Sequence, residues 1–221
     1  MKIPVVTQIL KANDSVAREN AVLFEERGVT LLNVMASPGA GKTSLILATA
    51  ARLDEGLRPG VVEGDVASSI DADRIAEAGI PVVQINTGGN CHLDAPMLRS
   101  ALEHLDLDAL DLLFVENVGN LICPSNYRLG NDTAVVVASV PEGFDKPHKY
   151  PGIFAKADMI LVNKWDLADV FDFDLDFFTR GVRMVNPEVP ILPVSCRDGY
   201  GLDAWVSWLE SRIPSPVPPG V

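Results

Sequence analysis

Short apolar runs alternate along this chain with stretches in which apolar side chains recur every three or four residues. Residues 12–27 carry Val16, Ala17, Asn20, Leu23 and Phe24 at near-helical spacing and stop at Gly28, which predicts an N-terminal helix closed by glycine. Residues 29–35 make an apolar run of strand length. Helical periodicity follows over 42–53, ended by Gly56 and Pro59. A second strand begins at Val61-Val62, and 70–78 reads as a helix ended by Gly79. Buried-looking strands recur at 82–85, 112–115, 134–140, 159–162 and 191–194, with helices such as 97–105 and 202–209 between them. Apolar strands separated by helices pair in parallel through right-handed crossovers. The expected fold class is α/β: a doubly wound, mostly parallel sheet of about seven strands, in one domain over residues 1–213. Residues 214–221 are proline-rich, cannot continue a helix, and read as a mobile tail.

Composition narrows the classes of function. Of 221 residues, 48% are hydrophobic, ample for a large core. Thirty acidic against 18 basic residues give a net charge of −12, which argues against nucleic acid or an anionic membrane as partner. Three cysteines cannot build a disulfide framework and point to a reducing compartment. The first residues lack a signal-peptide apolar region, and no apolar run approaches ~18 residues. The expectation is a soluble, cytoplasmic, acidic domain.

The strongest local signal is Ala36-Ser37-Pro38-Gly39-Ala40-Gly41-Lys42-Thr43, with Ser44 next, set between a strand and a helix. Glycines let backbone N–H groups wrap a phosphate at a helix start, Lys42 reaches the β- and γ-phosphates, and the Thr43 hydroxyl suits Mg²⁺. Ala36 stands where this phosphate-loop pattern has its first glycine, which matters only if that position needs positive φ. Asn163-Lys164-Trp165-Asp166 follows a strand further on. A carboxylate at Asp166 accepts from both N1–H and the 2-amino group of guanine, whereas adenine offers neither donor. The Lys164 stem would lie along the base. Ser195-Cys196, at the next strand end, is where such folds place donors for the guanine carbonyl, although Cys196 also reads as an ordinary half-buried thiol. Asp65 and Glu116 end two strands where Mg²⁺ and the attacking water belong, with Gly119 near the γ-phosphate. Asp65 is the candidate to orient or deprotonate that water. Asn120, not glutamine, follows Gly119, so slow intrinsic hydrolysis is expected.

A third signal is Cys91-His92 after Gly88-Gly89, with Cys123 downstream. Thiolate and imidazole suit Zn²⁺ or Ni²⁺. Three ligands do not close a tetrahedral site, so either water or a second chain completes it; a buried cysteine and a surface histidine is the plainer alternative. His104 and His148 are assigned no metal.

Taken together these motifs resemble one family, the hydrogenase nickel-insertion GTPases of the HypB type, over nearly the whole chain. The likeness runs through the 20–24 helix segment, 33–43, Glu63-Gly64-Asp65, 87–95, 116–124, 146–151 and 163–167. It implies a GTPase converting GTP to GDP and phosphate in support of nickel insertion into [NiFe]-hydrogenase, dimerising with nucleotide or metal. It also implies a HypA-type metallochaperone and the hydrogenase large-subunit precursor as partners, and Ni²⁺ or Zn²⁺ on Cys91, His92 and Cys123. The family's Cys-x-x-Cys-Gly-Cys segment and His-rich stretch do not occur in these residues, so nickel storage and tight monomeric nickel binding are not expected. The urease-type nickel GTPases share the glycine pair but carry Cys-Pro-His, whereas Cys91 and His92 are adjacent. A non-catalytic guanine-nucleotide scaffold and an ATP-dependent kinase are the other readings; Lys42, Thr43, Asp65 and Glu116 oppose the first and Asp166 the second.

Overall fold

Seven strands pair in the order β3-β2-β4-β1-β5-β6-β7, every pair parallel, in a computed structural model that describes residues 5–130 and 133–214. The strands are β1 Thr30–Ala36, β2 Pro59–Asp65, β3 Val82–Asn86, β4 Leu112–Glu116, β5 Thr133–Ser139, β6 Met159–Asn163 and β7 Ile191–Pro193. Helices are α1 Val5–Arg27, α2 Lys42–Ala50, α3 Ile70–Glu77, α4 Ala95–Leu102, α5 Lys146–Lys149, α6 Pro151–Phe154, α7 Leu175–Arg183 and α8 Leu202–Glu210. From the expected tail, only Pro214 falls among the described residues.

Both faces of the sheet are covered, which is why its central strands read as apolar runs rather than as alternations. Leu32 and Val34 of β1 pack with Leu45 and Ile46 of α2 and with Trp205 and Leu209 of α8. On the other face Leu31 lies with Phe24 of α1 and Leu98 of α4, while Met35 joins the Phe154 and Phe178 cluster. Two buried asparagines fasten α1. Asn20 Nδ2 donates to the Ala95 and Leu129 carbonyls, each at 3.1 Å, and Asn13 Nδ2 donates to the Arg128 carbonyl at 2.9 Å.

The expected strands are all present. The helices differ more: α4 lies two to three residues earlier than 97–105, and the short α5 and α6 carry no expectation from the pattern. α1 starts at Val5, well before residue 12. The pattern also missed α7, whose start is capped by Asp174 Oδ1 accepting from the Phe177 N–H at 2.8 Å.

From β1 the chain crosses to β2, leaving a slot that β4 later fills, and from β4 it passes to β5 on the other flank of β1. β1 is therefore the switch point, and the crevice beyond its carboxyl end is where such sheets bind ligands.

Candidate functional site

The loop between β1 and α2 has the backbone needed to wrap an anion. Gly39 and Gly41 have φ of +75° and +96°, whereas Ala36 lies within β1 and is not among the positive-φ residues. The missing first glycine therefore costs the loop nothing. Two side chains from the end of β6 brace it: Asn163 Nδ2 donates to the Ala40 carbonyl at 2.9 Å and Lys164 Nζ to the Gly39 carbonyl at 2.7 Å. Ser37 Oγ is hydrogen-bonded to Glu142. Gly119 lies so close that a Cβ there would meet Pro38 backbone at 2.9 Å.

At the start of α2, Thr43 Oγ1 donates to Glu116 Oε1 at 2.9 Å, and Lys42 Nζ stands 3.9 Å from the same oxygen. Glu116 is 2% exposed, and burial pushes its carboxyl up to about 7 despite Lys42. Beside it, in register across β2 and β4, is Glu63, also 2% exposed and pushed up to about 8 by burial and by the Glu116 charge. The Oε2 atoms of both glutamates are buried without a hydrogen-bond partner. Orphaned acceptors of this kind carry a desolvation cost that a cation would relieve, so the donor set fits Mg²⁺. Glu63 is the residue the sequence reading left out; its only signal is an acid inside an apolar strand. Asp65 differs. Its Oδ1 accepts from the Ala67 and Ser68 N–H groups at 2.9 and 2.8 Å, and those bonds hold its carboxyl below the usual range. Asp65 is thus an ionised acceptor, suited to orienting a water rather than to taking its proton.

A cleft of about 360 Å³ opens between Gly41, Ser44, Asn163, Lys164, Asp166, Cys196 and Arg197. Asp166 is fixed by Ser195 Oγ, which donates to its Oδ1 at 2.9 Å, and by Arg197 at 3.7 Å. The Ser195 N–H donates to the Tyr200 carbonyl, so of the Ser195-Cys196 pair Ser195 engages the site through its hydroxyl. Cys196 Sγ contacts Asn163 Oδ1 at 3.4 Å, and burial pushes its thiol up, in keeping with an ordinary half-buried thiol.

Cys91, His92 and Cys123 converge, their ligand atoms all within 4.8 Å of one another. Cys91 Sγ and Cys123 Sγ are 2.8 Å apart, and Cys91 Sγ is 3.9 Å from His92 Nδ1. Tyr127 stacks on the His92 ring, centroids 3.7 Å apart, a neighbour that no motif signals. Burial lowers the His92 value, favouring the neutral imidazole that metals bind, while the hydrogen bond with Cys91 raises that of Cys123. Asn120 presents Cys123 by accepting from the Ile122 and Cys123 N–H groups at 2.7 and 3.3 Å. Two soft sulfurs and one imidazole fit Ni²⁺ or Zn²⁺.

A glycine-rich anion loop at the switch point of a parallel sheet, with a lysine and a threonine opening the next helix, defines a P-loop nucleotide-binding protein. Comparison with known proteins makes this narrower. The family profile described as CobW/HypB/UreG, nucleotide-binding domain, matches residues 30–193. The hydrogenase maturation factor HypB of Rhizobium leguminosarum bv. viciae is 48% identical over 208 residues, 94% of this chain and 70% of that protein. HypB of Escherichia coli K12 is 43% identical over 210 residues, 95% and 72% respectively. The crystal structure of HypB from Helicobacter pylori in complex with nickel superposes with a TM-score of 0.87 at 38% identity, covering 90% of this chain and 94% of that one. The chain belongs to the HypB hydrogenase maturation factors within the CobW/HypB/UreG family.

Proposed function

We propose that this chain is a metal-binding GTPase that hydrolyses GTP to GDP and phosphate in support of nickel insertion into [NiFe]-hydrogenase. The observation that carries this reading is the convergence of Cys91, His92 and Cys123 beside a phosphate loop, on the segment that runs directly on from Glu116 and Gly119. Nickel is cargo, with Zn²⁺ suited to the same donors. In this reading Gly39, Ala40, Gly41 and Ser44 surround the phosphates with N–H groups, and Lys42 offsets the charge of the β- and γ-phosphates. Thr43, Asp65 and Glu116 would hold Mg²⁺, which when bound supplies charge neutralisation to the phosphates. Asp65, kept ionised, orients the attacking water. Asn120 shapes the Cys123 turn instead of reaching toward that water, which accords with slow turnover.

Asp166 reads the guanine, held at the right angle by Ser195, with Lys164 along the base, Asn163 bracing the loop and Cys196 at the rim. Three ligands per chain leave the metal incompletely coordinated, and a second copy related by a two-fold axis would supply the rest. A homodimer linked to nucleotide and metal, a HypA-type metallochaperone and the hydrogenase large-subunit precursor are the partners in this proposal. No helix among the described residues is long and apolar enough to cross a membrane.

The test is nucleotide binding and phosphate release by wild type and Asp166→Asn. Wild type is expected to prefer GTP over ATP and turn it over slowly. Asp166→Asn should bind GTP at least about a hundredfold more weakly and gain relative affinity for xanthosine nucleotides, because its amide suits a carbonyl at position 2. Wild-type GTP affinity in the variant would remove Asp166 as the base reader.

A further inference from the structure

Glu63 has no part in the nucleotide chemistry outlined above, yet it is among the most constrained charges in the molecule. It sits one strand beyond Glu116, in register with it, and is 2% exposed. Around this spot the chain gathers Glu63, Asp65 and Glu116, with Asp71 beyond them, against Lys42 and, on Glu116, Arg74. Asp65 satisfies its acceptors on the turn that follows it. Glu63 Oε2 and Glu116 Oε2 satisfy theirs with nothing, although both are sealed from solvent. Two neighbouring buried carboxylates, each with an orphan oxygen, are unstable as a pair of anions, and a divalent cation matches their charge and their demand for a partner.

We propose that Glu63 is an acidic arm of the divalent-cation site, holding the cation of the nucleotide complex together with Glu116 and Thr43. This rests on the nucleotide reading of the site. It adds a second carboxylate of β2, beside Asp65, to the cation's protein environment, and so strengthens the tie between β2 and β4.

The test uses the full chain with Mn²⁺ as probe, followed by electron paramagnetic resonance in the presence of GDP. Glu63→Gln keeps the shape and removes the charge. It is expected to weaken Mn²⁺ binding by about tenfold or more and to alter the Mn²⁺ line shape. A purely structural Glu63 would leave the Mn²⁺ affinity and spectrum at their wild-type values, and that result overturns the proposal. If Glu63→Gln does not fold, Glu63→Asp decides: its carboxylate is withdrawn by one methylene, Mn²⁺ binding should fall about threefold or more, and a wild-type affinity overturns the proposal. Failure of wild-type protein to bind GDP at all would overturn the nucleotide reading, and this proposal with it, and is read independently of the cation.

Discussion

Gly41 shows how far one missing Cβ can decide a site. Its φ of +96° lies in the left-handed region, and a methyl group there would sit 2.5 Å from Asn163 Nδ2. That nitrogen holds the Ala40 carbonyl, so Gly41→Ala strains the backbone and dislodges the brace at once. The expected result is a loss of about 1–3 kcal/mol in stability and at least tenfold in GDP affinity, by thermal unfolding and titration. Gly56→Ala is the control: nothing lies within 4 Å of its Cβ position and its φ is not positive, so a change within about 0.5 kcal/mol is expected. Equal behaviour of the two variants would show that the brace does not matter. At this scale the sequence is most informative where chemistry is local. The phosphate loop and Asp166 are legible because their partners sit at fixed short spacing. Glu63 is not, because its burial and its pairing with Glu116 come from strand register between segments about fifty residues apart.

Among elements, α2 carries Lys42 and Thr43 and must be held rigidly against the sheet. Part of that hold is a buried bond from Trp205 Nε1 in α8 to Thr49 Oγ1 in α2, 2.8 Å long. Thr49→Val keeps the shape and strands the indole N–H, so a loss of about 1–3 kcal/mol in unfolding free energy is expected. Unchanged stability would mean that the indole finds another acceptor. Strands are legible here because both faces are covered and their positions are mostly apolar; the expected 134–140 and 159–162 fall within a residue of β5 and β6. The first turns of α1 are not: Val5, Val6, Ile9 and Leu10 recur at helical spacing, but the β-branched run Val5-Val6-Thr7 directly after Pro4 suits a strand equally. α7 is short, and its signal is the cap at Asp174 and the pair Phe178 and Val182 four residues apart, easily lost among the acidic and aromatic residues preceding it.

Across the whole molecule the candidate metal donors and the nucleotide motifs share one layer at the carboxyl ends of the strands, the donors after β3 and β4 and the phosphate loop after β1. Leu93, one residue beyond His92, donates its N–H to Asn117 Oδ1 at 3.0 Å, and its side chain fills the space above Gly64. Asn117 in turn donates its own N–H to the Val34 carbonyl of β1 and its Nδ2 to Asn33 Oδ1. The metal loop is therefore wedged between Glu63-Gly64-Asp65 and Glu116-Asn117-Val118-Gly119, and Cys123 follows Gly119 by four residues. Gly119 packs on Pro38, so a γ-phosphate that shifts this segment also shifts Cys123. A displacement of ~1 Å would exceed the ~0.2 Å tolerance of a metal–ligand bond. Metal affinity should then differ between the GDP-bound and GTP-analogue-bound protein by about 5–150-fold, and metal should change the nucleotide affinity ratio by the same factor. The measurement is a titration of Ni²⁺ and of Zn²⁺ into both nucleotide states, repeated with Cys123→Ala and Leu93→Ala. Cys123→Ala is expected to abolish most of the binding; Leu93→Ala should keep the donors but bring the ratio between the two states toward one. Equal affinities in wild type would end the coupling argument, and wild-type metal binding by Cys123→Ala would end the site itself.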